Sequence, residues 1–150
     1  LDLTHNTALA TVYCPNNRLT ALDLSKNTAL ATLACSRNQL TALDLSQNTA
    51  ITELYCNNNQ LAALDLSRNT ALTELYCNGN RLTTLDLSRN TELTKIYCDD
   101  NPLTELNISN LSKIEEIVFG DNPEINVIAN SQTVVSDEVR HYMDGKRKTP

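Results

Sequence analysis

Cutting the chain at Leu1, Leu22, Leu43, Leu64, Leu85 and Leu106 lays out six units of 21 residues that align without a gap. A typical unit is LDLSRNTALTELYCNGNRLTT, residues 64–84. Positions 1 and 3 of every unit hold Leu, with Ile108 the only exception. Position 9 holds Leu9, Leu30, Ile51, Leu72, Leu93 and Ile114, and position 12 holds Val12, Leu33, Leu54, Leu75, Ile96 and Ile117. Position 17 is Asn throughout: Asn17, Asn38, Asn59, Asn80, Asn101 and Asn122. Self-similarity at one fixed period means that each unit is one structural coil. A lone coil cannot bury its apolar side, so neighbours stack and seal a continuous core.

The local pattern says what each coil is made of. The L-x-C and L-x-L pieces alternate with the period of two that a strand requires. The Asn and small polar residues that follow are turn formers. Neither half of the unit carries the ten or more residues of 3.6-residue periodicity that a helix needs. Each unit therefore reads as a strand, a turn, a second extended segment and another turn. Parallel stacking would put equivalent residues about 4.8 Å apart.

The spacing LxxLxCxxNxLTxLDLSxNTA, almost verbatim over residues 1–105, resembles bacterial leucine-rich repeats of the 21-residue kind, common in surface proteins of the Bacteroidetes. The resemblance implies a leucine-rich-repeat solenoid with a parallel sheet on its concave side, built from segments such as Leu72–Cys77. It also implies inward Asn side chains that bond the turn backbone, with the LDLS segments lining the opposite side. Location outside the cell or on its surface follows from the resemblance alone.

The sixth unit departs from the pattern. Leu111 replaces Asn at position 6, Phe119 replaces Cys, and Glu124 stands where Leu is expected, while Ile125 and Ile128 restore an apolar spacing one residue later. SDEVRHYMDGK, residues 136–146, reads as a short helix over about 136–144, with Ser136 as N-cap and Gly145 as stop. The expected organisation is a solenoid over 1–126 and a capping segment over 127–150. No matching cap is evident at Leu1, where the pattern is already under way, so upstream sequence is expected.

Two ladders invite chemistry and receive structural readings. Cys14, Cys35, Cys56, Cys77 and Cys98 recur every 21 residues on the inward side. Parallel Cβ atoms about 4.8 Å apart lie beyond disulfide range. The ligands are not gathered within one turn as zinc requires, so these are core thiols. Asp2, Asp23, Asp44, Asp65 and Asp86 each sit between two Leu and should face water, with His5, Lys26, Arg68 and Arg89 nearby to soften their repulsion. Calcium-binding rolls use glycine-rich turns, whereas this chain has 3 Gly.

The tyrosines bear on function. Position 13 holds Tyr13, Tyr55, Tyr76 and Tyr97, with Ala34 and Val118 completing the row. That position alternates with the buried ones and lies on the outer surface of the strand sheet. Glu53, Glu74 and Lys95 stand beside the row at position 11, and Arg37 follows it at position 16. Tyrosine is a contact residue favoured at interfaces. A ligand-binding strip of Tyr13, Tyr55, Tyr76, Tyr97, Arg37, Glu53, Glu74 and Lys95 is one reading, and a cross-strand packing ladder is the other.

The expected function is therefore a non-catalytic, monomeric module that binds a protein or peptide, with glycan as the other admissible ligand class. The alternatives are a rigid spacer of about 30 Å, from six strand spacings, or the recognition arm of a larger effector or enzyme. Catalysis finds no nucleophile context or phosphate loop, and the two histidines, His5 and His141, lie apart. Neither a metal nor a cofactor is expected. A net charge of −6 argues against nucleic acid as partner, and no apolar run is long enough to span a bilayer.

Overall fold

The computed structural model describes residues 1–120 and 125–129. Among the described residues, eight strands of three residues appear in the order β1 (Thr11–Tyr13), β2 (Thr32–Ala34), β3 (Glu53–Tyr55), β4 (Glu74–Tyr76), β5 (Lys95–Tyr97), β6 (Glu105–Asn107), β7 (Glu116–Val118) and β8 (Asn126–Ile128). Strands β1, β2, β3, β4, β5 and β7 form one parallel sheet, and β6 pairs with β8 in a second. Every pairing joins a residue to the one 21 further along, as in Leu54↔Leu75 and Tyr55↔Tyr76. The repeat length and the sheet register are the same number because each coil makes one complete turn of the solenoid.

The strands are short because the chain must turn inward again. In each strand of the main sheet the middle residue is buried, and with one exception both flanking residues are at least partly exposed on the outer face. The exception is Ala34, whose small side chain leaves it buried. The ladder extends past the strand ends: Cys35, Cys56 and Cys77 donate N–H to Tyr55, Tyr76 and Tyr97 carbonyls at 2.8–2.9 Å. Within the coil, the leucines and isoleucines of positions 3, 9, 12 and 19 fill one continuous core with the cysteines. The LDLS segments expected to run along the opposite side do so without pairing until the last, where Glu105–Asn107 meets Asn126–Ile128.

Two asparagine ladders tie the coils together, and they differ in quality. In the first, Asn59 Nδ2 donates to the carbonyls of Cys56 (3.0 Å) and, one coil earlier, Cys35 (3.1 Å), while its Oδ1 accepts the Leu40 N–H (3.0 Å). Asn38, Asn80 and Asn101 repeat this arrangement. In the second, Asn48 Nδ2 donates to the Leu24 and Asn27 carbonyls at 3.0 and 2.9 Å, and Asn27, Asn69 and Asn90 do the same on their own coils. The Oδ1 atoms of these four residues are buried without a hydrogen-bond partner.

Between strand and Asn the chain bends through the left-handed region, at Asn16, Arg37, Asn58 and Asp100 with φ of 52–56° and at Gly79 with φ of 64°. Among the described residues the last such bend lies at Gly120, one position earlier in its unit. The sixth coil adapts locally. Leu111 and Phe119 are buried where Asn and Cys stand elsewhere, and Ile125 is buried too. Ile128, expected to continue the apolar spacing, is instead 37 % exposed, because it flanks the middle residue of β8 and faces out opposite Asn107. Strand β8 crosses the expected boundary between residues 126 and 127, and the expected helix over 136–144 lies outside the described residues.

All five cysteines are free thiols, with Cys14 half-buried and the other four buried. Burial pushes the Cys35 and Cys98 thiols up to about 12 and raises those of Cys56 and Cys77 as well. Thiol labelling of the native protein at pH 8 should therefore modify Cys14 first, with the other four reacting only after unfolding. The same shifts fix the alkaline limit. Groups that ionise later in the fold than in the unfolded chain leave stability intact below their ordinary value of 9.0 and erode it as pH rises toward 12. Rapid labelling of five thiols in the native state at pH 8 would contradict this core.

Candidate binding face

Positions 11 and 13 of each coil flank a buried residue, so their side chains stand next to each other on the same face of the sheet. Because the register is 21, each such pair also sits directly beside its counterparts in neighbouring strands. Three tyrosines exploit this. The rings of Tyr55 and Tyr76 stack at 4.7 Å and 23°, and those of Tyr76 and Tyr97 at 4.6 Å and 10°. Offset stacking of this kind adds about 0.5–1.5 kcal/mol per pair beyond buried area.

The position 11 row locks onto the hydroxyl ends of the stack. Tyr55 Oη donates to Glu53 Oε2 and Glu74 Oε2 at 3.3 and 3.2 Å, a shared bond. Lys95 Nζ donates to Glu74 Oε1 at 2.9 Å and closes the salt bridge. Tyr97 Oη donates to Glu116. Desolvation, then the charges of Glu53 and Glu74, raise the Tyr55 phenol above its ordinary value. The hydrogen bond to Glu116, then desolvation, push Tyr97 up to about 12. The Lys95 ammonium is raised chiefly by its bond to Glu74. At neutral pH these phenols stay protonated and hold the carboxylates in place.

The structure thus brings together six of the eight expected contact residues: Tyr55, Tyr76, Tyr97, Glu53, Glu74 and Lys95. Two stand apart. Tyr13 shares the row but is 79 % exposed, because its neighbour in the next coil is Ala34 and offers no ring to stack on. Arg37 lies on the bend beyond the strand, in a left-handed conformation with φ of 53°. One residue was missing from the strip. Glu116 stands in register with Lys95, and continuing position 11 into the sixth unit would have found it.

The opposite side carries the Asp ladder. Asp23, Asp44 and Asp86 accept the N–H of the Ser two residues on at 2.9 Å, and this bond is the first cause of their lowered carboxyl values. Asp65 uses Ser67 in the same way, with the Ser67 hydroxyl contributing most. These aspartates are turn-closing groups, and the neighbouring cations contribute less. Among the described residues no cluster of three or more His, Cys, Asp or Glu is placed to hold a metal ion. No helix among them is long and apolar enough to cross a membrane.

Residues 49–89 match the family described as Leucine Rich repeats (2 copies). No curated protein matches the chain. Among solved structures, the chain is similar to the functional domain of InlJ from Listeria monocytogenes, described as including a cysteine ladder. That likeness has a TM-score of 0.76 at 37 % identity, over 89 % of this chain and 32 % of that one. An internalin, InlF, from the same organism matches at TM-score 0.73 and 24 % identity, over 80 % of this chain and 37 % of that one. A leucine-rich-repeat protein of Leptospira interrogans gives 0.75 and 21 %, over 91 % and 36 %. The last two likenesses concern the fold alone, and this chain spans about a third of the length of each of the three structures. Its register, its buried leucine and cysteine columns and these likenesses agree: the chain is built of leucine-rich repeats and folds as a leucine-rich-repeat solenoid of parallel strands.

Proposed function

We propose that this solenoid is a non-catalytic recognition module of a secreted or surface-anchored bacterial protein of the Bacteroidetes type, and that it binds a protein or peptide through its strand face. The observation that carries the proposal is the row of Tyr13, Tyr55, Tyr76 and Tyr97. A purely structural ladder would account for the stacked rings of Tyr55, Tyr76 and Tyr97. It leaves Tyr13 without a role, since that ring is 79 % exposed. Tyrosines that display hydroxyls and edges beside immobilised carboxylates supply rigid, amphipathic contact area at small entropic cost.

The stacking also bears on ligand class. Sugar rings pack on aromatic faces, and here the inner faces of the stack are covered by neighbouring rings. Edges, hydroxyls and carboxylates suit a polypeptide better. The test is a triple substitution of Tyr55, Tyr76 and Tyr97 by Ser, with the protein used as bait for surface and secreted proteins. Affinity for a captured partner should fall by at least about a hundredfold, as for central aromatic anchors. Unchanged affinity in a variant that keeps its β-sheet circular dichroism would refute the assignment.

A further inference from the structure

The two ends of the strand face differ in charge. Positions 10 to 16 of each unit carry the strand and the bend that follows it. In the first two units this stretch holds no carboxylate and one cation, Arg37. From the third unit on, its described residues include Glu53, Glu74, Asp99, Asp100, Glu115 and Glu116 against Lys95 alone. All six carboxylate residues are exposed or half-buried. Glu53, Glu74, Lys95 and Glu116 are consecutive register partners in β3, β4, β5 and β7. Their row therefore crosses three strand spacings, about 14 Å. Glu115 precedes β7, and Asp99 and Asp100 follow β5 into its bend.

Little inside the molecule offsets this charge. Lys95 is committed to Glu74 at 2.9 Å, and the other ion pair among the described residues, Lys113 with Glu92, lies at position 8. Glu53 and Glu116 accept bonds from the Tyr55 and Tyr97 hydroxyls, which bring no positive charge. Desolvation raises the Asp99 carboxyl above its ordinary value, and the Asp100 charge adds to the effect. Among the described residues, five of the six carboxylates thus have no paired cation. On the opposite side the aspartates alternate with Lys26, Arg68 and Arg89, so no comparable run of one sign forms there.

We infer that the strand face from β3 to β7 docks a lysine- and arginine-rich segment of the partner polypeptide, its cations set against the carboxylates that flank the tyrosine stack. This rests on the strand face being the binding surface. Complementary charge speeds encounter and turns acidic partners away. An extended chain presents alternate side chains about 6.6 Å apart on one side, so about three cations span the row.

The probe is a fluorescent octapeptide of alternating lysine and serine, followed by anisotropy, with glutamate–serine and glutamine–serine versions as comparisons. The lysine peptide should bind saturably, and the other two should bind at least about tenfold more weakly. Combining Glu53→Gln, Asp100→Asn and Glu115→Gln should weaken binding about tenfold. Combining Asp44→Asn, Asp65→Asn and Asp86→Asn removes the same charge from the opposite side and should change binding less than about twofold. Those turns survive the change, since Asn107 already accepts the Ser109 N–H at 3.0 Å in the same way. In NMR spectra the peptide should shift the ring signals of Tyr97 more than those of Tyr13, which stands in the carboxylate-free half. Equal losses in the two triple variants, equal binding of the glutamate peptide or a larger shift at Tyr13 would each overturn the inference. If the lysine peptide fails to bind while the triple tyrosine variant still loses its captured partner, only the charge assignment falls. If that variant loses nothing, both readings fall.

Discussion

Replacing Asn59 with Ala should lower the unfolding free energy by about 2–4 kcal/mol, whereas Asn48→Leu should change it by less than about 1.5 kcal/mol. Both asparagines are buried on the coil interior and both donate to two backbone carbonyls. The difference lies in what each leaves behind. Without Asn59, the Leu40 N–H loses the side-chain oxygen it donates to, in a buried site where an unmet donor is expensive. Asn48 buries an Oδ1 that has no partner, so its removal also relieves a penalty. The carbonyls it serves keep their turn bonds, from Asn27 N–H to Leu24 and from Leu30 N–H to Asn27. The sixth coil already buries Leu111 at the corresponding position. Guanidinium titrations of the two variants would decide the matter. Equal losses would mean that the two ladders do the same work and that the orphaned oxygens carry no penalty.

Deleting residues 64–84 should leave a folded, shorter solenoid, while deleting residues 64–83 should destroy it. The first change removes β4 and brings β3 against β5, with Leu54 opposite Ile96 and Tyr55 opposite Tyr97. Each column of the core then continues unbroken, because stability in a stack depends on each coil and its immediate neighbours. The second change shifts every downstream residue by one position within its coil. In a strand a one-residue slip exchanges the two faces, so Ile96 would turn outward and Tyr97 inward. Circular dichroism and thermal melting would show a cooperative transition for the first variant and none for the second. The same pair of proteins bears on function. A spacer would lose about 4.8 Å of length and little else, whereas a binding face with three stacked rings would be cut to two and should lose its ligand.

Much of the fold was legible because its decisive contacts obey one rule. A period of 21 residues predicts the partner of every strand residue, and all register pairs found follow it. The cysteine column and the outward Asp followed in the same way, since each residue type recurs in an equivalent environment, whereas the inward Asn at position 17 was implied by the family resemblance. The second asparagine ladder was harder to read. Its Nδ2 bonds reach carbonyls 21 and 24 residues earlier, and the pattern LDLSxN shows the residue without showing what it holds. The sixth coil was harder again. Leu111 and Phe119 stayed inside as substitutes, but Ile128 went out, because pairing of β8 with β6 set its orientation and hydropathy did not.

The sequence alone determined the repeat length, the strand register, the identity of the buried columns and which side of the sheet the tyrosines occupy. These follow from periodicity, since equal spacing places equal residues in equal surroundings. The tertiary structure decided what happens where the columns are not uniform. It stacked Tyr55, Tyr76 and Tyr97 but isolated Tyr13, assigned Glu116 to Tyr97 and placed Arg37 on a left-handed bend. Those outcomes depend on side-chain directions and on neighbours one coil away, and a break in a row acquires meaning only when the residues on both sides of it are fixed in space.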